Sequence, residues 1–591
     1  MAGRGRCAID TETTGVRPFE GDRLCALSLY HPEEGSFFIP VRMQGLGVEN
    51  MPEKALAVLG PELLGQAIVE GRTTRVRTQL LIGHNLSHDL NFFRVEGFDV
   101  DGAYIFDTMY ASFLWNDSLP SYALKGPNSV SETILGLPPS EELDRLNIWK
   151  KAHPNTSYDY CSVEVLAPYA ERDVVLAWDL YEKLESEIIA RGEPYPQLLY
   201  EEMQWVKLLA GMSATGLLFD FERAAEIRKS HNARIMKLYE ELSRECWPGF
   251  NPNAPKAVMS LLRQLDIDAP DTEVGTLWLY AGAHPVLRKV IEARQLAHVL
   301  ASYINKWEVQ ARRGGGRVYA SFGATGHGYG DDYGQTRTGR VRARQPNLMG
   351  VPVYDSDIHR EKEVYRAPEG WVYGAIDVSQ ADIRVAAHYL KDDRLDAVLS
   401  DPQGDIHGMI AEDVGLPRIR AKRVVFGSGL YGAGAARTAE VMTDESHQLV
   451  TESEAAAFIR AFQRRYPKFK VVAKQVEGVA KTRGYLRIWD GRQLFVGERD
   501  DPHKTWNWLI QMGVANLMKK WMLRIKGYLH ENGMQSRMVL QIHDEIILEM
   551  PREEANALGD LAKLIEGIGP EGGWRVPLFT KTKQGERWSE L

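Results

Sequence analysis

The chain has 591 residues, 44% of them hydrophobic, with 71 lysines and arginines against 80 aspartates and glutamates. This exceeds what one core ordinarily supports, so about three or four packed units are expected and a disordered chain is excluded. A net charge of −9 speaks against a nucleic-acid binder unless the charge is segregated along the chain.

Residues 1–195 alternate apolar strand-like runs with helical stretches, the pattern of an α/β domain. Ala8-Ile-Asp-Thr-Glu-Thr-Thr-Gly15 predicts a strand in which Asp10 and Glu12, two apart, share a face. Such a pair repels itself unless a cation sits between the two. Asp89 follows in Ile82-Gly-His-Asn-Leu-Ser-His-Asp89, with Asn85 one helical turn before it. Asp173 ends Tyr169-Ala-Glu-Arg-Asp173, where a spacing of four stacks the phenol beside the carboxylate on a helix. One such acid reads as a surface carboxylate; the four together point to a metal site.

These segments resemble the motifs of the DEDD 3′-5′ exonucleases, in the subgroup with tyrosine in the third motif. The resemblance implies an RNase H-like fold and two-metal hydrolysis of a terminal phosphodiester. It makes Asp10, Glu12, Asp89 and Asp173 metal ligands, with Tyr169 positioning the nucleophile and Asn85 supporting the terminal nucleotide.

Gly192-Glu-Pro-Tyr-Pro196 predicts a boundary, and from Leu198 to about Lys306 the periodicity is helical, as in Glu222–Cys246, so a long helical arm is expected. Arg312-Arg-Gly-Gly-Gly316 ends the helices, and Gly323–Tyr333 reads as a loop. Basic residues gather from Arg288 to Arg344 and again from Arg460 to Arg492. Either run alone is as readily a solvated helix face, but both flank candidate catalytic acids, which favours phosphate tracking.

Val372-Tyr-Gly-Ala-Ile-Asp377 is an apolar strand-like run that ends in an acid; a helical insertion follows from about Lys391 to Arg483. In Met538-Val-Leu-Gln-Ile-His-Asp-Glu-Ile-Ile-Leu-Glu549 two apolar β-type runs break at a turn holding Asp544, where folding asks for no acid. Two carboxylates on adjacent strand ends can hold two Mg²⁺ about 3.5–4 Å apart, the arrangement that serves nucleotide addition. Arg418 and Lys422, one turn apart on one helix face, can grip a triphosphate, although a salt-bridged surface helix explains the pair as well.

Read in order, the remaining segments resemble a family A DNA polymerase over the whole chain: Gln335-Thr-Arg-Thr-Gly-Arg340 with Gln345-Pro-Asn-Leu348, the Asp377 segment, Asp405-Ile-His407, Ala421-Lys422 with Phe426-Gly427, Gly484-Tyr485 with Gly491-Arg492, Asn507 with Gln511, and His543-Asp-Glu545. The resemblance implies a template-directed DNA polymerase, α/β and α+β multidomain, with an RNase H-like exonuclease domain followed by a right-hand polymerase. Its parts are an exonuclease domain at 1–195, thumb and start of palm at 196–345, palm at 346–390, fingers at 391–490 and palm again at 491–591. Asp377 and Asp544 become ligands of two Mg²⁺, for which Mn²⁺ can substitute, with Glu545 in support. Lys422, Arg418, His407, Phe426, Asp382 and Tyr431 bind the nucleotide; Arg340, Gln511, Asn507, His543 and Arg492 meet DNA. Arg340 and Gln511 would donate to the minor-groove acceptors that every correct pair presents. The partners implied are primer-template DNA and dNTPs, with no membrane and no indicated accessory protein, for a monomer of phage replicative type.

The sequence departs from the family pattern at three places. Asp382 stands where a glutamate usually blocks a ribose 2′-hydroxyl, so ribonucleotide exclusion is expected to lean also on backbone or aromatic neighbours. Leu430 takes the place of a tyrosine, with Tyr431 following. Gly427 and Gly429 permit a π-type bulge that restores the facing of Tyr431, so either residue is a candidate for the template side. His503 and Lys504 replace a usual arginine. Rival readings are an exonuclease with a C-terminal region that only binds nucleic acid, a single-subunit RNA polymerase relative and a non-enzymatic scaffold. Cys7, Cys25, Cys161 and Cys246 form no close pair and no run approaches a membrane span, so reduced thiols and a cytoplasmic protein are expected.

Overall fold

A computed structural model describes residues 5–45, 48–69, 72–75, 79–325, 337–352, 357–415, 417–418, 421–422, 425–430, 432–446 and 450–591; at 67–69, 72–75, 414, 426, 428–429 and 444–446 the backbone alone is described. The N-terminal unit is built on a five-stranded sheet. Its central strand, Arg6–Thr13, pairs antiparallel with Leu24–His31 and parallel with Leu80–Gly83. Gly35–Pro40 and Tyr104–Asp107 complete the two edges. The Val163–Ile189 helix packs across the sheet. Its buried Leu166, Ala170, Asp173, Val174 and Ala177 recur at helical spacing, which carries Asp173 to the strand that holds Asp10 and Glu12.

The Gly192–Pro196 break falls as expected between that helix and the next, Tyr195–Thr215. It does not separate two cores. Tyr195–Thr215 is apolar nearly all round, with Leu199, Met203, Trp205, Val206, Leu209 and Met212 buried, and one continuous apolar cluster runs from Cys7 through this helix to Trp588. A helix with so much of its surface buried welds the elements it passes between.

The helical arm begins at Phe221–Glu245, capped by Asp220, whose side chain accepts from the Arg223 N–H. Its buried stripe packs on Pro285–His298, and the arm's far end has its own apolar cluster around Leu242, Val258, Leu262, Leu277 and Val290. The C-terminal part is built on a four-stranded antiparallel sheet in the order Arg537–Ile542, Glu545–Pro551, Trp371–Val378, Thr580–Gly585. Between its strands in sequence lies the helical insertion, including Asp393–Ser400, Ile406–Val414, Ala435–Ser446, Glu452–Arg465 and Pro467–Arg483. Among the described residues no helix is long and apolar enough to cross a membrane.

Candidate active sites

Sheet register puts the C-terminal acids together. Asp377 lies directly across from Glu545 on one side and from Lys581 on the other. The Val378 N–H donates to the Asp544 carbonyl at 3.0 Å, which brings the turn holding Asp544 to the end of the Asp377 strand. Burial, then the nearby Asp377 carboxylate, pushes Asp544 up to about 7. Asp377 is raised by burial as well, with Lys581, Lys583 and Lys422 opposing the rise; Glu545 is raised by burial and by Asp377, opposed by Lys362 and Lys583. Crowded carboxylates hemmed by lysines form a donor set suited to a divalent cation. Lys362, Lys581 and Lys583 were missed in the sequence, although lysines two apart on a strand share a face and were legible as such.

The nucleotide side is partly assembled. His407 is 4% exposed and pushed down to about 4, by burial first and then by Lys422 and Arg418, so it enters as a neutral imidazole. The Arg418 guanidinium lies on Asp405 at 2.6 Å, so the surface salt bridge weighed for this helix is present; Lys422 is exposed. Arg340 is bound to Asp382 at 2.9 Å, joining an expected minor-groove contact and an expected sugar contact in one ion pair. His543 sits in the turn at φ 54 and is lowered by burial, then by Arg340. Asn507 and Gln511 lie half-buried, one turn apart, on Thr505–Glu531. Val425–Leu430 is a π-helix, the bulge that Gly427 and Gly429 permit, and Leu430 is fully buried, which removes it as a template contact. The Phe426 side chain and Tyr431 lie outside the described residues. His503 is held by Glu477 at 3.1 Å, and Lys504 is exposed.

Arg492 does not stand where DNA would meet it. It is 2% exposed, with Nη1 on Glu202 at 2.6 Å, an interior ion pair that ties it to the Tyr195–Thr215 helix, and its guanidinium lies over the Phe113 ring of the first unit. The basic run 288–344 is likewise largely committed. Lys289 pairs with Glu241 and Glu245, Arg312 with Glu308, Arg317 with buried Glu549, and Arg337 with Asp117 and Asp500. In the second run Arg465 pairs with Asp413 and Lys481 with Glu477, whereas Lys470 and Lys474 are exposed. Charge density along the chain overstated the free basic surface, because packing gave many of these cations acids from distant segments.

At the N-terminal site Asp10 and Glu12 lie on the Arg6–Thr13 strand, Asp89 in the Ser87–Val95 helix, and Tyr169 and Asp173 one turn apart on Val163–Ile189. Burial raises all four acids: Glu12 to about 8, Asp89 to about 7, Asp10 well above its ordinary value through burial and then Glu12, Asp173 and Asp89, and Asp173 through burial against the pull of Lys125. The Asp89 Oδ1 accepts from Thr11 N at 2.9 Å and Thr11 Oγ1 at 2.6 Å. Among the described residues Glu12 Oε1 is buried without a hydrogen-bond partner, an unsatisfied acceptor that suits a cation, and the all-carboxylate donor set fits Mg²⁺. Asn85 is in the loop ahead of the Asp89 helix, at φ 64, and not a helical turn before Asp89. That loop is held by a residue the sequence reading missed. Asp107, 0% exposed, accepts from the N–H groups of Asn85 at 3.3 Å and Leu86 at 2.7 Å while capping Thr108–Trp115 through Met109 and Tyr110. An acid closing an apolar strand at a helix start was the available signal.

Known proteins resemble this chain over much or all of its length. The profile of DNA polymerase family A matches residues 222–590. The thermostable DNA polymerase I of Thermus thermophilus is 30% identical over 445 residues, covering 70% of this chain and 51% of that protein. DNA polymerase I of Chloroflexus aurantiacus is 26% identical over 628 residues, 99% of this chain and 61% of that protein. The chain thus spans about half the length of the Thermus relatives it matches. The solved structure described as the POL domain of Pol1 from M. smegmatis in complex with DNA primer-template and dNTP superposes with a TM-score of 0.76 at 19% identity, covering 100% of this chain and 96% of that one, which shows a shared fold.

Proposed function

This chain belongs to DNA polymerase family A, and on that premise we propose that it is a template-directed DNA polymerase that also carries a 3′-5′ proofreading exonuclease. The observation that carries the polymerase reading is the meeting of Asp377, Glu545 and the Asp544 turn at one sheet end, 167 residues apart in sequence for the two aspartates (544 − 377), with Lys422 close enough to act on Asp377. Asp377 and Asp544 would hold Mg²⁺, which, when bound, activates a 3′-hydroxyl and neutralises the charge that leaves on pyrophosphate. Lys422 and Arg418 bind the triphosphate, Arg418 after release from Asp405, and neutral His407 offers an N–H to it. Arg340 shares itself between Asp382 and the primer end, a link from sugar selection to minor-groove contact. Gln511, Asn507 and His543 line the duplex, and the exposed Lys470 and Lys474 supply sequence-independent phosphate contacts.

At the second site Asp10, Glu12, Asp89 and Asp173 would hold the metal and Tyr169 would orient the attacking water. Buried, mutually repelling carboxylates in the first unit support that reading. Primer-template DNA and deoxynucleotides are the partners of a monomer; the phage-type replicative role rests on the sequence resemblance alone. Extension and shortening of a labelled primer, scored together with each dNTP and rNTP, test both activities. Asp544→Ala abolishes extension and leaves shortening, and Asp10→Ala does the converse. Loss of both activities from either change refutes two independent sites.

A further inference from the structure

The N-terminal carboxylate cluster contains a cation that the proposed chemistry does not ask for. Lys125 lies between the Thr108–Trp115 and Val130–Thr133 helices, and its side chain is 4% exposed. Its Nζ is 2.7 Å from Asp173 Oδ1, donates to the Tyr169 carbonyl at 2.9 Å and sits 3.3 Å from the centroid of the Tyr169 ring. A lysine so enclosed needs close partners, and here the partners are the two functional residues of one helix turn.

Among the described residues no three Asp, Glu, His or Cys side chains are gathered around one point, here or at the Asp377 sheet end, so both sets of acids would have to draw in around a cation. Glu12 Oε1 and Asp173 Oδ1 are both buried without a hydrogen-bond partner among the described residues, the latter in ion-pair contact with Lys125, while Asp89 Oδ1 is taken by Thr11. The Thr11 contact is a pair of neutral hydrogen bonds, one of them from the strand's own backbone, and it orients Asp89 without neutralising it. Lys125 is different: it brings a full charge to a ligand that a divalent ion would use.

We propose that Lys125 is a resident counter-charge of the proofreading site, a tethered cation that a divalent ion must displace from Asp173 before the carboxylates close around it. This rests on the exonuclease reading given above. An ammonium and a dication on one carboxylate repel each other strongly where little water screens them, so the two compete for Asp173. Competition keeps Asp173 and the Tyr169 turn ordered under either occupant and sets how much metal the site needs before it cuts. Lys125 is therefore a positioning residue, acting through Asp173.

The test is Mn²⁺ binding, followed by the paramagnetic resonance of free Mn²⁺ at pH 8.5, in the full chain carrying Asp377→Asn and Asp544→Asn so that the polymerase site contributes no uptake. Removal of one unit charge at contact predicts that Lys125→Met and Lys125→Gln each tighten Mn²⁺ binding about tenfold, while Lys125→Arg stays within about twofold of the parent. Neutral variants that fold only when Mn²⁺ is present also support the inference. Unchanged or weakened affinity in both neutral variants overturns it, as does failure to fold with and without Mn²⁺, since a lysine that merely props the helix loosens the site when lost. A parent that takes up no Mn²⁺ with Lys125 intact overturns the exonuclease reading itself, which is a distinguishable result.

Discussion

Replacing Glu202 with alanine tests how the Tyr195–Thr215 helix is fastened to the C-terminal part of the chain. Glu202 is 2% exposed on the Tyr195–Thr215 helix, and its Oε1 accepts from both Arg492 Nη1 and Lys519 Nζ at 2.6 Å. Arg492 is 2% exposed and Lys519 7%, so both are nearly shut off from bulk water. Burial would push Glu202 up, but Lys519 and Arg492 more than offset it and hold the carboxyl below its ordinary value. Removing one partner from a buried pair costs about 3–5 kcal/mol. Two cations are stranded here, yet Asp117 and Asp490 also act on Arg492, which keeps the expected loss within that range. Lys519→Met leaves the Glu202–Arg492 pair intact and is expected to cost about 1–2 kcal/mol. Once Glu202 is gone, Lys519 is a liability, so the double variant loses less than the sum of the two by more than about 1 kcal/mol. Guanidinium unfolding of the whole chain gives these values from a transition that far-UV circular dichroism and tryptophan fluorescence report together, the check that a chain of this length unfolds there in one step. A loss below about 1 kcal/mol for Glu202→Ala, or additivity in the double variant, would mean that water already reaches these cations and would refute the reasoning.

Three further outcomes follow from the two sites. Glu12, Asp89 and Asp544 have folded values of about 8, 7 and 7 against ordinary values of 4.5, 3.8 and 3.8, so the folded chain binds protons that the unfolded chain releases. Their contribution to stability is complete below about pH 4 and is lost as pH rises through 7–8. In chelator the melting temperature should therefore fall between pH 6 and 8.5, and Mg²⁺ should lessen that fall; a flat or rising profile in scanning fluorimetry contradicts the assignment. Asp107→Ala releases the Asn85–Leu86 loop and one helix cap, costs about 1–2 kcal/mol and cuts primer shortening far more than primer extension. Equal loss of the two activities in parallel assays counts against a positioning role. Arg492→Met leaves the salt slope of primer-template binding unchanged while Lys474→Ala lowers it by about one unit, and the reverse result would return Arg492 to the DNA contacts.

Much of the catalytic layout was legible because it follows local periodicity. Asp10 and Glu12 share a strand face by the two-residue pleat, Tyr169 and Asp173 share a helix face by the 3.6-residue turn, and Gly427 with Gly429 marked a π-helix. Asp544 stood out because an acid interrupted an apolar hairpin, and the hairpin is there. What failed was the reading of charge. The family resemblance makes Arg492 a DNA contact, and Arg337 and Arg317 fall in a basic run that favours phosphate tracking, yet each is engaged with Glu202, Asp117 or Glu549 from far along the chain. Lys125 and Asp107 drew no notice, because a single lysine in a loop and a single acid at a helix start are common in any protein.

The sequence by itself determined which side chains face together within a strand or a helix, since that geometry repeats every few residues and needs no partner. Tertiary structure alone decided that Asp377 meets Glu545 and Lys581, that Lys125 reaches Asp173 and that one core runs through the Tyr195–Thr215 helix. The physical reason is that a charge's worth depends on what stands within a few ångströms of it and on how little water remains there, and both are properties of packing between segments rather than of any one segment.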